Sequence, residues 1–83
     1  MNEVFLIGKI ITQIEFKFVI NSKKLKSISL FKLKTLDEQI INIICYNEMA
    51  DFICSKIQIN DLLFLNGYLI DSDVVLKYIK KFE

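Results

Sequence analysis

Eleven lysines carry all the side-chain positive charge of this 83-residue chain, which has no arginine and no histidine. They are unevenly spread. Between Glu15 and Lys34 there are six (17, 23, 24, 26, 32, 34) against one acid; from Asp37 to Asp73 there are seven acids and only Lys56; Lys77, Lys80 and Lys81 follow. A formal charge of +1 is therefore compatible with one basic face. Phe16, Phe18 and Phe31 alternate with or adjoin Lys17, Lys32 and Lys34, Lys9 follows Gly8, and Tyr46 ends an apolar run. Cationic points beside flat aromatic faces are what capture of a single-stranded nucleic acid requires. Lysine meets phosphate as a point charge, without arginine's bidentate fork for guanine, so such capture would have little sequence preference. Alternation sends Phe and Lys to opposite faces of one strand, so these residues cannot all serve one ligand. Each phenylalanine is at least as well suited to core or interface packing, and each lysine to protecting a strand edge.

Other chemistry is poorly supplied. There is no histidine to act as general base, no Cys-x-x-Cys and no carboxylate cluster in a ligand spacing, so neither an enzyme nor a metal or cofactor site is expected. Cys45 and Cys54 are too few for a disulfide framework, and acidic Glu3 with no small-residue cleavage site does not resemble a signal peptide. Reduced thiols in a cytoplasm are the expectation. The apolar stretch Val4 to Ile14 is broken by Gly8 and Lys9 and falls short of the roughly 18 residues of a membrane span.

These residues must be positioned mainly by strands. Val4 to Ile11 is β-branched and aromatic; Ile14, Phe16 and Phe18 alternate with Glu15 and Lys17. Asn21 to Lys24 is a strong turn signal leading into the alternating stretch Leu25 to Thr35, with Ile28 and Leu30 on one face and Ser27, Ser29 and Phe31 on the other. After an acidic turn at Leu36 to Gln39, the run Ile40 to Tyr46 is too β-branched to prefer helix. Asn47 fits an N-cap, and Met49, Ala50, Ile53, Cys54 and Ile57 recur at helical spacing. A strand containing Gly67, a tight loop at Asp71 to Asp73 and a strand from Val74 to Phe82 complete the chain. The two glycines, Gly8 and Gly67, each interrupt an apolar strand and mark a bulge, a barrel corner or a close backbone approach.

This order predicts an all-β domain over residues 1–83: a five-stranded OB-fold barrel with one short helix between the third and fourth strands. A small α+β sandwich fits the same periodicities. Length allows only one core.

Several segments, in order, resemble bacterial single-stranded DNA-binding proteins. Asn2-Glu3-Val4-Phe5-Leu6-Ile7-Gly8-Lys9-Ile10 is similar to the family's opening Asn-x-Val-x-Leu-Ile-Gly-Arg/Lys-Leu; Ile14 to Phe18, Ile28-Ser29-Leu30, Ile44 to Asp51 and Asp61 to Leu69 resemble later segments. The resemblance implies sequence-independent single-stranded DNA binding in replication, recombination or mobile-element transfer, with Tyr46 at a base-stacking position and Lys9 at a basic one. The departures are the two shortened hairpins, the lack of tryptophan, Asn60 and Tyr68 in place of a glycine and a basic residue, and no acidic-tipped tail after Glu83. In this the chain looks more like the related primosomal replication protein N family, which implies a tail-less homodimer. The apolar segment Asn2 to Ile7 is the expected place for a twofold partner. Two other readings stay open. One is an OB-fold adaptor or subunit of a replication or conjugation complex, with Phe16, Phe18 or Tyr68 in a protein interface and Tyr46 dispensable. The other is RNA binding by the same barrel.

Overall fold

The computed structural model describes residues 2–82. The strands are β1 (Glu3–Ile10), β2 (Glu15–Asn21), β3 (Lys24–Thr35), β4 (Ile40–Tyr46), β5 (Leu62–Ile70) and β6 (Asp73–Lys81), and helix α1 (Asn47–Lys56) lies between β4 and β5. The expected helix position is thus corrected: in chain order the helix follows the fourth strand, not the third. The reason is that Glu15–Asn21 is a strand in its own right, paired along its whole length with Lys24–Leu30 of β3.

Five strands close the barrel. β1 pairs with β5, β5 with β6, β4 with β3, and β3 back to β1, all antiparallel, while β4 and β6 are parallel. This closed ring of mixed strands, with one short helix, is an OB-fold. Strand β2 stands outside the ring and, among the described residues, pairs only with β3. Ile10, Leu33, Ile43, Cys45, Leu63, Leu65 and Val74 fill the barrel, and Ala50 and Ile53 of α1 close one end. Burial pushes the Cys45 thiol up to about 12, so it stays protonated; Cys54 is exposed.

The glycines sit where the ring needs backbones to approach. Gly8 is paired with Thr35 of β3 on one side and Leu63 of β5 on the other, and a Cβ there would collide with the Lys34 carbonyl. Gly67 follows a register shift between β5 and β6; a Cβ there would lie 2.5 Å from the Val75 carbonyl oxygen and 2.7 Å from Val74 Cγ1. Neither glycine has positive φ, so space rather than conformation requires them.

Two details depart from sequence patterning. On β3 the small polar residues face inward: Ser27 and Ser29 are buried, whereas Ile28 and Leu30 are half-buried on the outside. Helix α1 packs over the serines, and their hydroxyls donate to the carbonyls of Asn47 (3.2 Å) and Ala50 (2.9 Å). Small side chains let the helix come close, and hydrogen bonds offset their desolvation. The N-cap of α1 is Tyr46 (φ −122°, ψ 147°) with no side-chain cap bond, while Asn47 at φ 54° takes the left-handed turn out of β4. The amide expected to cap the helix instead marks a corner that Asn tolerates better than most residues.

The hairpins flanking β4 and β6 are short. Residues 36–39 make the β3–β4 turn, closed by Gln39 N–H donating to Thr35 Oγ1 (3.0 Å) and Glu38 N–H to the Thr35 carbonyl (2.9 Å). Asp71 and Ser72 alone join β5 to β6.

Candidate nucleic-acid interface

Register and pleat place most of the sequence-derived site residues on one solvent-facing surface. Directly opposed residues of a ladder share a face. Lys17 of β2 opposes Ile28 of β3, which opposes Tyr46 of β4; Glu15, Leu30 and Ile44 form the next row. Below them Lys32 opposes Asn42, and Lys34 opposes Ile40 on one side and Lys9 of β1 on the other. One curved surface thus carries Tyr46, Lys17, Lys32, Lys34 and Lys9. Its floor is aliphatic: Ile28, Leu30 and Ile44 are half-buried.

Tyr46 is 40% exposed. The β4-to-α1 corner leaves the tyrosine open to solvent instead of packing it fully under the helix. A shallow groove of about 380 Å³ lies on the same face, lined by Thr12, Leu30, Lys32, Asn42 and Ile44 among others. Thr12 Oγ1 accepts the Lys32 backbone N–H (3.0 Å), holding the β1–β2 connection against β3. Two acids, Glu15 and Asp73, rim the groove, and Asp73 Oδ1 accepts from Asn42 Nδ2 (3.2 Å). Among the described residues, Lys9, Lys17 and Lys32 make no salt bridge. Lys34 Nζ lies 3.6 Å from Glu38 Oε1, an exposed pair worth little. Lys9 and Lys34 stand directly opposite one another, a like-charge placement that is unfavourable unless an anion lies between them.

The phenylalanines fall elsewhere. Phe31 is 4% exposed and belongs to the barrel core, so its ring is not available to a base, and the stacking expectation for it is corrected. Phe16 and Phe18 oppose Ser29 and Ser27, on the face of the β2–β3 hairpin opposite Lys17. Phe16 packs against the core, and Phe18 stands 62% exposed with its ring edge-on to Phe16, centroids 5.2 Å apart. Alternation on β2 decides this: a strand that shows Lys17 to the lysine face must show its neighbours to the other.

The aliphatic residues Ile28, Leu30 and Ile44 of this face and the adjacent Lys26 were not singled out as site residues by sequence reasoning. The signal was present in the Lys-Ser-Ile-Ser-Leu alternation, but apolar residues are ordinarily assigned inward, and only the helix packing on Ser27 and Ser29 reverses that. Tyr68, in the place of a basic residue, is engaged otherwise. Lys77 Nζ lies 5.5 Å from the centre of its ring and 3.5 Å from Glu3 Oε2. The Tyr68 hydroxyl and then the Glu3 carboxylate hold the Lys77 ammonium above its usual pKa.

Among the described residues, no group of three or more His, Cys, Asp or Glu is placed to hold a metal ion, and no helix is long and apolar enough to cross a membrane. No protein-family model matches the sequence, and no curated protein does. The structure, however, is similar to the crystal structure of the SSB domain of a Synechococcus sp. protein: TM-score 0.83 across 95% of this chain and 93% of that one, at 10% sequence identity. The barrel, its helix and its β2–β3 hairpin thus share the OB-fold of that domain.

Proposed function

We propose that this chain binds single-stranded DNA without sequence preference, across the outer β2–β3–β4 face, in replication, recombination or mobile-element transfer. The observation that carries the proposal is the gathering of Lys17, Lys32, Lys34 and Lys9 on the same surface as half-exposed Tyr46. Phosphates would pass along the lysines, relieving the Lys9–Lys34 opposition, while a base stacks on Tyr46 over the aliphatic floor. The fold shared with an SSB domain supports the same reading.

Titration of a fluorescent oligothymidine at several salt concentrations tests it. With four lysine–phosphate contacts, log affinity is expected to fall against log salt with a slope of roughly −3, at about −0.7 per contact for a single strand. Absence of binding at low salt, or binding indifferent to salt, refutes the proposal. Oligouridine in the same titration reports whether the sugar matters.

The chain is further proposed to act as a homodimer. Strand β1 is paired with β5 from Glu3 to Lys9, but β3 reaches its other edge only at Gly8 to Ile10. Among the described residues the edge from Glu3 to Ile7 is left unpaired, beside exposed Phe5, whose ring lies 6.2 Å from that of Phe64. An open apolar edge of this kind favours pairing with a second β1 about a twofold axis. Light scattering at micromolar concentration is expected to give twice the chain mass; the monomer mass excludes the dimer.

A further inference from the structure

The β2–β3 hairpin carries a second surface that the lysine face does not use. Strand β2 is the outermost strand of the sheet, with backbone pairing only to β3, so its other edge is open among the described residues. Open edges are ordinarily protected by charged side chains, bulges or proline, and on β2 the charges, Glu15 and Lys17, fall on one face only. Here the face that adjoins the edge is apolar. Phe18, Ile20 and Leu25 lie together on it, with Ile20 directly opposite Leu25, and they are 62%, 77% and 65% exposed. The Phe18 ring is held in place by its edge-on packing against Phe16. The other face and the turn are basic: residues 16–26 contain Lys17, Lys23, Lys24 and Lys26 and no acid.

We propose that the open edge of β2 and the Phe18–Ile20–Leu25 face form a docking site for an extended polypeptide segment that alternates acidic and apolar residues. Three observations select this occupant. The unpaired backbone of β2 requires donors and acceptors at strand spacing, which a polypeptide supplies and a lipid surface does not. Two of the three apolar side chains are aliphatic and give a nucleic-acid base no aromatic face on which to stack. The lysines call for a partner with negative charge, and the pleat fixes where that charge falls. A strand added beside β2 places alternate side chains against Phe18 and Ile20, and the intervening ones on the side of Lys17 and Lys26. Glu15, at the barrel end of the same face as Lys17, turns the acidic residues toward the hairpin tip. The apolar contacts of this site lie apart from Tyr46, Lys32, Lys34 and Lys9, while Lys17 stands on the face that both ligands reach.

The test uses a fluorescein-labelled ten-residue peptide alternating glutamate with leucine and valine, titrated with the full chain and read by fluorescence anisotropy. Binding in the range of about 10–100 μM is expected, weakening with salt. The double substitution Phe18→Ser and Ile20→Ser is expected to weaken it about tenfold, since both side chains lie in the proposed contact. Two further peptides, N-methylated at alternate residues in the two registers, test the edge without altering the protein: one is expected to lose binding and the other to keep it. A peptide of the same composition with its glutamates in one block should bind poorly. Equal binding of the blocked peptide, equal binding of both N-methylated forms, or no binding of the alternating peptide overturns the proposal. So does a loss of oligothymidine affinity, or of binding to phosphatidylserine vesicles, in the Phe18→Ser, Ile20→Ser variant, which would assign the face to DNA or to lipid.

Discussion

Replacing Gly8 by alanine is expected to lower the unfolding free energy by about 2–3 kcal/mol, the upper part of the range for overpacking a closed site. Alanine at a glycine of ordinary φ would by itself stabilise the fold by about 0.4–1 kcal/mol, by restricting the unfolded chain. At Gly8 that gain is outweighed. The added methyl meets the Lys34 carbonyl, a backbone group fixed by the β1–β3 and β3–β4 ladders, with Leu33 Cγ only 3.0 Å away. Neither neighbour can rotate aside, so the barrel must open where β1 meets β3. A domain of 83 residues has a total stability of about 4–12 kcal/mol at 0.05–0.15 kcal/mol per residue. Gly8→Val is therefore expected to leave a large unfolded fraction. Gly67→Ala should behave like Gly8→Ala, because Val75 O also belongs to a paired backbone. Urea unfolding followed by circular dichroism measures both, with Ser72→Ala in the exposed β5–β6 turn as the control. A Gly8→Ala midpoint equal to that of the parent protein would show that the barrel yields at this corner.

Tyr46→Ala is expected to weaken oligothymidine binding by 1–3 kcal/mol, or about fivefold to 150-fold, while leaving the fold intact. The magnitude is that of one base stacked on one aromatic ring. Folding should be spared because the side chain is 40% exposed and makes no cap bond to α1. Tyr46→Phe keeps the ring and should retain most of the affinity. Phe18→Ala, on the opposite face of the hairpin, should leave the titration unchanged. The salt slope should also persist in Tyr46→Ala, because the lysines remain. Unaltered binding by Tyr46→Ala would remove the tyrosine from the interface and favour the reading of this barrel as a protein-assembly module.

Much of the architecture could be read from local pattern. The strands from β1 to β6 follow from β-branched and aromatic runs, and the turn at Ser22 and Lys23 from its polar cluster, although both residues adopt positive φ without a glycine. Helix α1 was legible from the spacing of Ala50, Ile53 and Ile57, all three of which are buried. Its cap was not, because the path from β4 into the helix is set by the corner at Asn47, and no sequence spacing encodes that angle. The same limit explains Phe31 and Ser29. Both sit on the inward side of β3, as alternation requires, but alternation alone does not say which side is inward. Ile28 and Leu30 on one face and Ser27, Ser29 and Phe31 on the other left the side open, and the helix with its hydrogen bonds to the serines settled it.

By itself the sequence determined that the fold would be β-rich, that its cations would be lysines concentrated near β2 and β3, and that Gly8 and Gly67 would mark constrained points in two strands. Those properties are local: composition, period and residue volume are written along the chain. Only the tertiary structure decided which lysines stand together. Lys9 and Lys34 are 25 positions apart in the sequence, and their opposition exists only because the β1–β3 ladder closes the ring. Tyr46 joins Lys17 through Ile28, across three strands, and Phe18 is turned away by the same pleat. Ladder register, a long-range property fixed by barrel closure and by α1 packing on Ser27 and Ser29, turned a scattered set of candidates into one basic face and one separate apolar edge.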